Sequence, residues 1–122
     1  MPMFPPGMEL LVSVGYDPTF GRYTVVGQGG VTTELQSDFE IIVGKATKPK
    51  VFEALSRLRT FRAMQGFRGA RKLDIDAIAD LCVRLDGLAE SRPRIEIEMN
   101  PVLLYPTGYS VADVLVSYSD SV

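Results

Sequence analysis

Two residues near the C-terminal end have side chains suited to holding a hard cation. They are Asn100, in Ile97-Glu98-Met99-Asn100-Pro101, and Asp113, in Ser110-Val111-Ala112-Asp113-Val114-Leu115-Val116. A carboxylate in the middle of an apolar strand is costly unless it is paired or coordinates a cation. Between the two lies Pro106-Thr107-Gly108, which is turn chemistry. With Pro106-Thr107 as a two-residue turn, counting back along the hairpin sets Asn100 opposite Asp113, with Cβ atoms about 5 Å apart. An amide oxygen and a carboxylate at that separation can share Mg²⁺, which takes one or two protein oxygens and completes its octahedron with water and phosphate. A three-residue loop would instead put the two side chains on opposite faces. The plainer alternative is that Asp113 points to solvent from an edge strand.

Other residues invite chemistry more weakly. Glu96 and Glu98 alternate with Ile95, Ile97 and Met99, so both acids share the face of Asn100. They form either an acidic rim beside a cation or a solvated strand face, and composition favours the latter. Gly27-Gln28-Gly29-Gly30 can offer backbone N–H groups to a phosphate, although such a cluster between strands is more often a hairpin turn. Glu9, in an aliphatic strand, can accept from a ribose or lie on a wet face. Arg57, Arg59, Arg62, Arg68, Arg71 and Lys72 form a basic stretch. It suits a polyphosphate or coenzyme tail, but a charge run beside a helix is usually a solvated face. Cys82 lies on an apolar helical stripe with no cationic neighbour in sequence, which reads as core and not as a nucleophile.

These residues need a scaffold, and the sequence describes one. Met8 to Val14 is strand-like, and Gly15 to Gly21, with Asp17-Pro18, is a turn. Arg22 to Val26 is a second strand, and Val31 to Leu35 and Phe39 to Val43 are two more short ones. Consecutive strands with short loops favour antiparallel pairing. The period then changes. Val51, Phe52, Leu55, Leu58 and Phe61 follow helical spacing after Pro49, and Gly66-Phe67-Arg68-Gly69 breaks it. Asp74 to Ala89 is the clearest helix, with Asp74 as N-cap and Ile75, Ile78, Leu81, Cys82, Leu85 and Leu88 in one stripe. Arg94 to Met99 alternates as a half-buried strand, and Tyr109 to Tyr118 returns as another. The fold class is α+β, a mainly antiparallel sheet with two inserted helices.

Composition narrows the function. The 122 residues are one domain's worth, 46% hydrophobic and 23% charged, so a real core is expected. A net charge of −2 provides no cationic field for nucleic acid or anionic membrane. One cysteine excludes an internal disulfide framework. The absence of histidine excludes a Ser-His-Asp triad, a histidine metal ligand and a phosphohistidine. No apolar run approaches the roughly 20 residues of a bilayer span. Residues 1–7 read as a Pro-rich lead-in and not a signal peptide, which suggests a cytoplasmic setting.

Taken in order, five motifs carry a family resemblance: Gly7-Met8-Glu9-Leu10-Leu11-Val12; Asp17-Pro18-Thr19-Phe20-Gly21; Gly27-Gln28-Gly29-Gly30 with Glu34 and Asp38; Gly66-Phe67-Arg68-Gly69; and Ile97-Glu98-Met99-Asn100-Pro101, with Asp113 following. The chain from about Met3 to Val116 resembles the C-terminal part of the ATP-grasp domain of ADP-forming acyl-CoA synthetases. That is the acetate–CoA ligase group, related to the succinyl-CoA synthetase beta subunit. The resemblance implies ATP and Mg²⁺ as cofactors, with Asn100 and Asp113 at metal-binding positions. It also implies Glu98 as the acid before the Asn-Pro pair, where many members have Asp, and Glu9 as the glutamate of the nucleotide-binding strand. Ser13 stands where the family usually has glycine.

The family's N-terminal ATP-grasp subdomain, which supplies phosphate-binding lysines, has no counterpart in this sequence. Neither do its CoA-binding domain and its phosphorylated histidine. The expectation is an ATP-grasp C-terminal subdomain: residues 1–7 a lead-in, 8–118 a partial ATP-grasp domain, 119–122 a tail. Its expected role is the Mg-ATP-binding half-module of an acid–thiol ligase, inactive alone and completed by a chain or domain carrying the missing parts. The alternative is a non-catalytic remnant serving as a structural or protein-interaction domain.

Overall fold

The computed structural model describes residues 7–30, 38–66, 69, 71–92 and 94–118. The strand expected at Val31–Leu35, most of the 1–7 lead-in, Phe67 and Arg68, and the 119–122 tail lie outside these residues. Among the described residues, six strands form one sheet: β1 (Met8–Asp17), β2 (Gly21–Gln28), β3 (Phe39–Val43), β4 (Ile95–Leu104), β5 (Tyr109–Val111) and β6 (Val114–Tyr118). The order is β3-β2-β1-β4-β5, and β6 also pairs with β4. Every pairing is antiparallel.

Local chemistry explains the boundaries. Asp17 accepts from the N–H groups of Thr19 and Phe20 and closes the β1–β2 turn, where Gly21 takes a positive φ of 85°. Between β3 and β4 come α1 (Lys48–Ser56), the single turn α2 (Phe61–Met64) and α3 (Ile75–Glu90). Thr47 caps α1, accepting from Lys50 N–H, and Pro49 sits in the first turn, where no N–H is required. The apolar spacing from Val51 to Phe61 predicts one helix, but the structure divides it. Asp38 accepts from the N–H groups of Arg59 at 2.9 Å and Thr60 at 3.1 Å, tying this segment back to the start of β3.

Helices α1 and α3 cover one face of the sheet. Leu10, Val12, Val14 and Val26 pack there against Val51, Ala54 and Leu55 of α1 and Ile78, Ala79 and Cys82 of α3, all buried. A fully buried aliphatic side chain stabilises the fold by about 1.5–3 kcal/mol. The seam of α3 is rotated from the expected stripe. Leu88 is 42% exposed, whereas Ala79, Asp86 and Ala89 are buried. Asp86 accepts from the Ala46 N–H at 3.1 Å and from the Arg22 guanidinium, linking α3 to β2 and to the approach to α1.

Among the described residues, no helix covers the opposite face. Ile41, Val25, Ser13, Glu98 and Leu115 are successive cross-strand neighbours along one row of it. Phe39, Ile41 and Val43 are exposed there. Among the described residues, no helix is long and apolar enough to cross a membrane.

Candidate functional site

The last hairpin has the register anticipated from its turn. Tyr105 N–H donates to the Gly108 carbonyl at 3.1 Å, which leaves Pro106-Thr107 as a two-residue turn, with Gly108 at φ 74°. Leu104 then faces Tyr109, Val102 faces Val111 and Met99 faces Val114. In the same register Asn100 stands opposite Asp113, and its N–H donates to the Asp113 carbonyl at 3.1 Å. Asp74 steadies the hairpin from outside. One carboxylate oxygen caps α3 through Ala77 N–H, and the other accepts from Gly108 N–H at 2.7 Å.

One expectation about Asp113 is corrected. It does not sit inside a continuous apolar strand from Tyr109 to Tyr118. That segment breaks at Ala112-Asp113, between β5 and β6, and Asp113 is exposed. Water solvates its carboxylate, so burial imposes no penalty on it. The break faces an irregularity in β4. There Leu10 pairs with Val102 and Val12 with Met99, so Asn100 and Pro101 both stand opposite Leu11. This bulge switches the core-facing parity of β4 from Ile95 and Ile97 to Val102 and Leu104. Its Asn100–Pro101 peptide is cis.

The bulge brings Asn100 to the end of β2. Its Oδ1 accepts from Gly30 N–H at 3.2 Å. Gly29 N–H donates to the Glu9 carbonyl at 2.9 Å. A Cβ on Gly30 would lie 2.6 Å from Glu9 Oε1, so the Glu9 carboxylate rests against that turn as well. Glu9 of β1 and Asn100 of β4 therefore meet at Gly29-Gly30. The turn's two amides are already engaged, so among the described residues this loop is a junction and not a cradle of free N–H groups. No hydrogen bond or ion pair from a described residue engages the carboxylates of Glu9, Glu98 or Asp113.

Glu96 and Glu98 share a cavity of about 130 Å³ on the face opposite the helices with Ser13, Tyr23, Leu115 and Ser117. Burial raises the Tyr23 phenol above its usual pKa, and the charges of Glu96, Asp17 and Glu98 add to the rise. Among the described residues, no three His, Cys, Asp or Glu side chains converge as a metal site. The hairpin itself offers one amide oxygen, on Asn100, and one exposed carboxylate, on Asp113, a donor pair of the type that Mg²⁺ takes together with non-protein oxygens.

Of the basic stretch, Arg68 lies outside the described residues, and two exposed arginines form ion pairs. Arg57 pairs with Glu53 and Glu40, and Arg59 lies 3.8 Å from Asp38. Cys82 is buried, and burial pushes its thiol up to about 12. Sequence reading missed Asp86 and its contacts. The signal was available: Asp86 follows Cys82 by four residues and precedes Ala89 by three, which is a core position on the helix.

A family model described as an ATP-grasp domain matches residues 1–117. The chain is 36% identical over 108 residues to ADP-forming acetate–CoA ligase I of Archaeoglobus fulgidus, a match covering 88% of this chain and 16% of that protein. It is 34% identical over 112 residues to the beta subunit of ADP-forming acetate–CoA ligase I of Pyrococcus furiosus, covering 91% of this chain and 48% of the subunit. A dinucleotide-forming acetyl-coenzyme A synthetase 1 from Ca. Korarchaeum cryptofilum, solved with coenzyme A and Mg-AMPPCP, superposes with a TM-score of 0.88 at 32% identity. That match covers 95% of this chain and 55% of the other. This chain thus spans about half of the subunit and of the solved chain, and far less of the single-chain ligase.

Proposed function

The chain belongs to the ATP-grasp domain family, and from that premise we propose that it is the Mg-ATP-binding half-module of an ADP-forming acyl-CoA synthetase. The observation that carries the proposal is the meeting of Glu9 and Asn100 at Gly29-Gly30, with Asp113 opposite Asn100. In this reading Asn100 Oδ1 and the Asp113 carboxylate hold Mg²⁺. The ion, when bound, neutralises phosphate charge. Glu9 orients the nucleotide from the neighbouring strand, and Glu98 contributes negative charge beside the ion. The sheet face opposite the helices offers a wall for the nucleotide beside them.

The chemistry of acyl transfer lies elsewhere. With no histidine in its sequence, this chain has no imidazole to carry phosphate between ATP and an acyl group. The proposed partner is a chain or domain that supplies the rest of the ATP-grasp module and the CoA-binding domain. Titration calorimetry of the chain with ATP, with and without Mg²⁺, tests the reading. Binding that requires Mg²⁺ is expected, together with no acetyl-CoA formation from ATP, acetate and CoA. Absence of any Mg²⁺-dependent binding refutes the nucleotide role. It would favour the non-catalytic alternative, a structural or protein-interaction domain.

A further inference from the structure

The geometry points to the Gly29-Gly30 turn as the positioning element that holds the Asn100 side chain of β4 beside Glu9 of β1. This inference rests on the proposed function only for what the two side chains face. The positioning itself is a property of the free chain.

The turn is held from both sides. Gly29 N–H donates to the Glu9 carbonyl at 2.9 Å, which fixes the turn to the backbone of β1. Gly30 N–H donates to Asn100 Oδ1 at 3.2 Å, which fixes the Asn100 side chain. An N–H donor requires an oxygen acceptor, so this bond also decides which way the amide points. Oδ1 faces the turn, and Nδ2 is directed away from it. A carbonyl oxygen has two lone pairs, so one remains available to a cation.

A side chain at either position would press on this arrangement, to different degrees. A Cβ at Gly29 would lie 2.6 Å from the Leu10 carbonyl group and 2.9 Å from Asn100 Oδ1. At Gly30 it would lie 2.6 Å from Glu9 Oε1, on a backbone with φ of 73°. The first conflict is with backbone, which cannot yield cheaply. The second is with the end of a flexible side chain, so an alanine at 30 is accommodated by moving the Glu9 carboxylate. The turn thus fixes where the Asn100 amide lies, and the exposed Glu9 carboxylate rests beside it.

The test separates this role from ordinary turn strain. Gly44 has a φ of 82° and no atom within 4 Å of its would-be Cβ, so Gly44→Ala carries comparable strain without a neighbour. Gly30→Ala and Gly44→Ala should therefore lower the melting temperature to a similar extent. Only Gly30→Ala should shift the Asn100 side-chain amide resonances of the free protein. Only it should weaken Mg-ATP binding, by tenfold or more. Gly30→Asn, which tolerates a left-handed backbone, serves if the alanine variant does not fold. The inference is overturned if the Asn100 resonances in the residue-30 variant match those of Gly44→Ala. If the wild-type chain binds no Mg-ATP, the nucleotide reading fails, and the resonances alone decide the positioning role.

Discussion

Asn100 and Asp113 stand directly opposite each other across the last hairpin, joined by the Asn100 N–H to Asp113 carbonyl hydrogen bond of 3.1 Å. Because that bond uses only backbone, the Asp113 side chain can be changed without disturbing the pairing. Asp113→Asn is expected to weaken Mg-ATP binding by at least tenfold, about 1.4 kcal/mol. Asp113 is exposed, so stability should change by less than about 0.5 kcal/mol. Calorimetry and thermal melts of both proteins check this. Unchanged affinity, or a drop of several degrees in melting temperature, would make Asp113 a structural residue.

Asp86 offers the contrasting case. It is 4% exposed and accepts from both the Ala46 N–H and the Arg22 guanidinium. Asp86→Ala leaves a buried amide without a partner and a cation without its counter-charge. Hydrogen bonds to charged groups contribute about 1.5–3 kcal/mol each, so a loss of roughly 2–4 kcal/mol is expected in urea unfolding. A loss below about 1 kcal/mol would show that α3 is held by its apolar contacts alone.

Tyr23 reports on the acids of the face opposite the helices. Its pKa is raised first by burial, then by Glu96, Asp17 and Glu98. Replacing Glu96 and Glu98 by Gln should lower the midpoint toward 10 without reaching it, because burial remains. Ultraviolet titration, with Tyr23→Phe subtracted to isolate the phenol, measures the change. A midpoint that does not move would mean that the two carboxylates are screened from the ring.

Cys82 makes a pH prediction with a definite sign. Its thiol ionises near about 8.5 in an unfolded chain and at about 12 in the fold. Below about 8.5 both states hold the proton and the thiol leaves stability independent of pH. Above that, only the unfolded chain releases it, so stability falls as pH rises toward 12. Cys82→Ala should flatten this limb of the stability–pH curve. The native thiol should also resist a disulfide reagent at pH 8 until denaturant is added. Rapid labelling of the folded protein would contradict its burial.

Much of this arrangement was legible in the sequence, for identifiable reasons. The β4–β5 register matches the one counted from Pro106-Thr107 as a two-residue turn, and the Tyr105–Gly108 hydrogen bond decides it against a three-residue loop. The α3 start followed from Asp74, whose carboxylate both caps the helix and holds Gly108. What escaped depended on contacts distant in sequence. The break between α1 and α2 comes from Asp38, some 20 residues earlier, and no local periodicity reports it. The bulge at Asn100-Pro101 depends on Leu11 across the sheet, so alternation in β4 could not reveal where its facing reverses. The role of Gly29-Gly30 depends on side chains from two other strands, one of them 70 residues away in sequence.

The position of β1 at the centre of the sheet governs the order in which the protein can assemble. On one side β1 pairs with β2 after a short turn; on the other it pairs with β4, which begins only at Ile95. The first pairing is local, while the second must close a long stretch of chain containing all three helices. Loop-closure entropy grows slowly with length but must be met before the distant contacts contribute, and such topologies fold slowly. During synthesis the β1–β2–β3 meander can form while the free edge of β1 waits for β4 to emerge. Glu9 and Asn100 are drawn together by that same long-range pairing, so the local meander alone does not complete the candidate site.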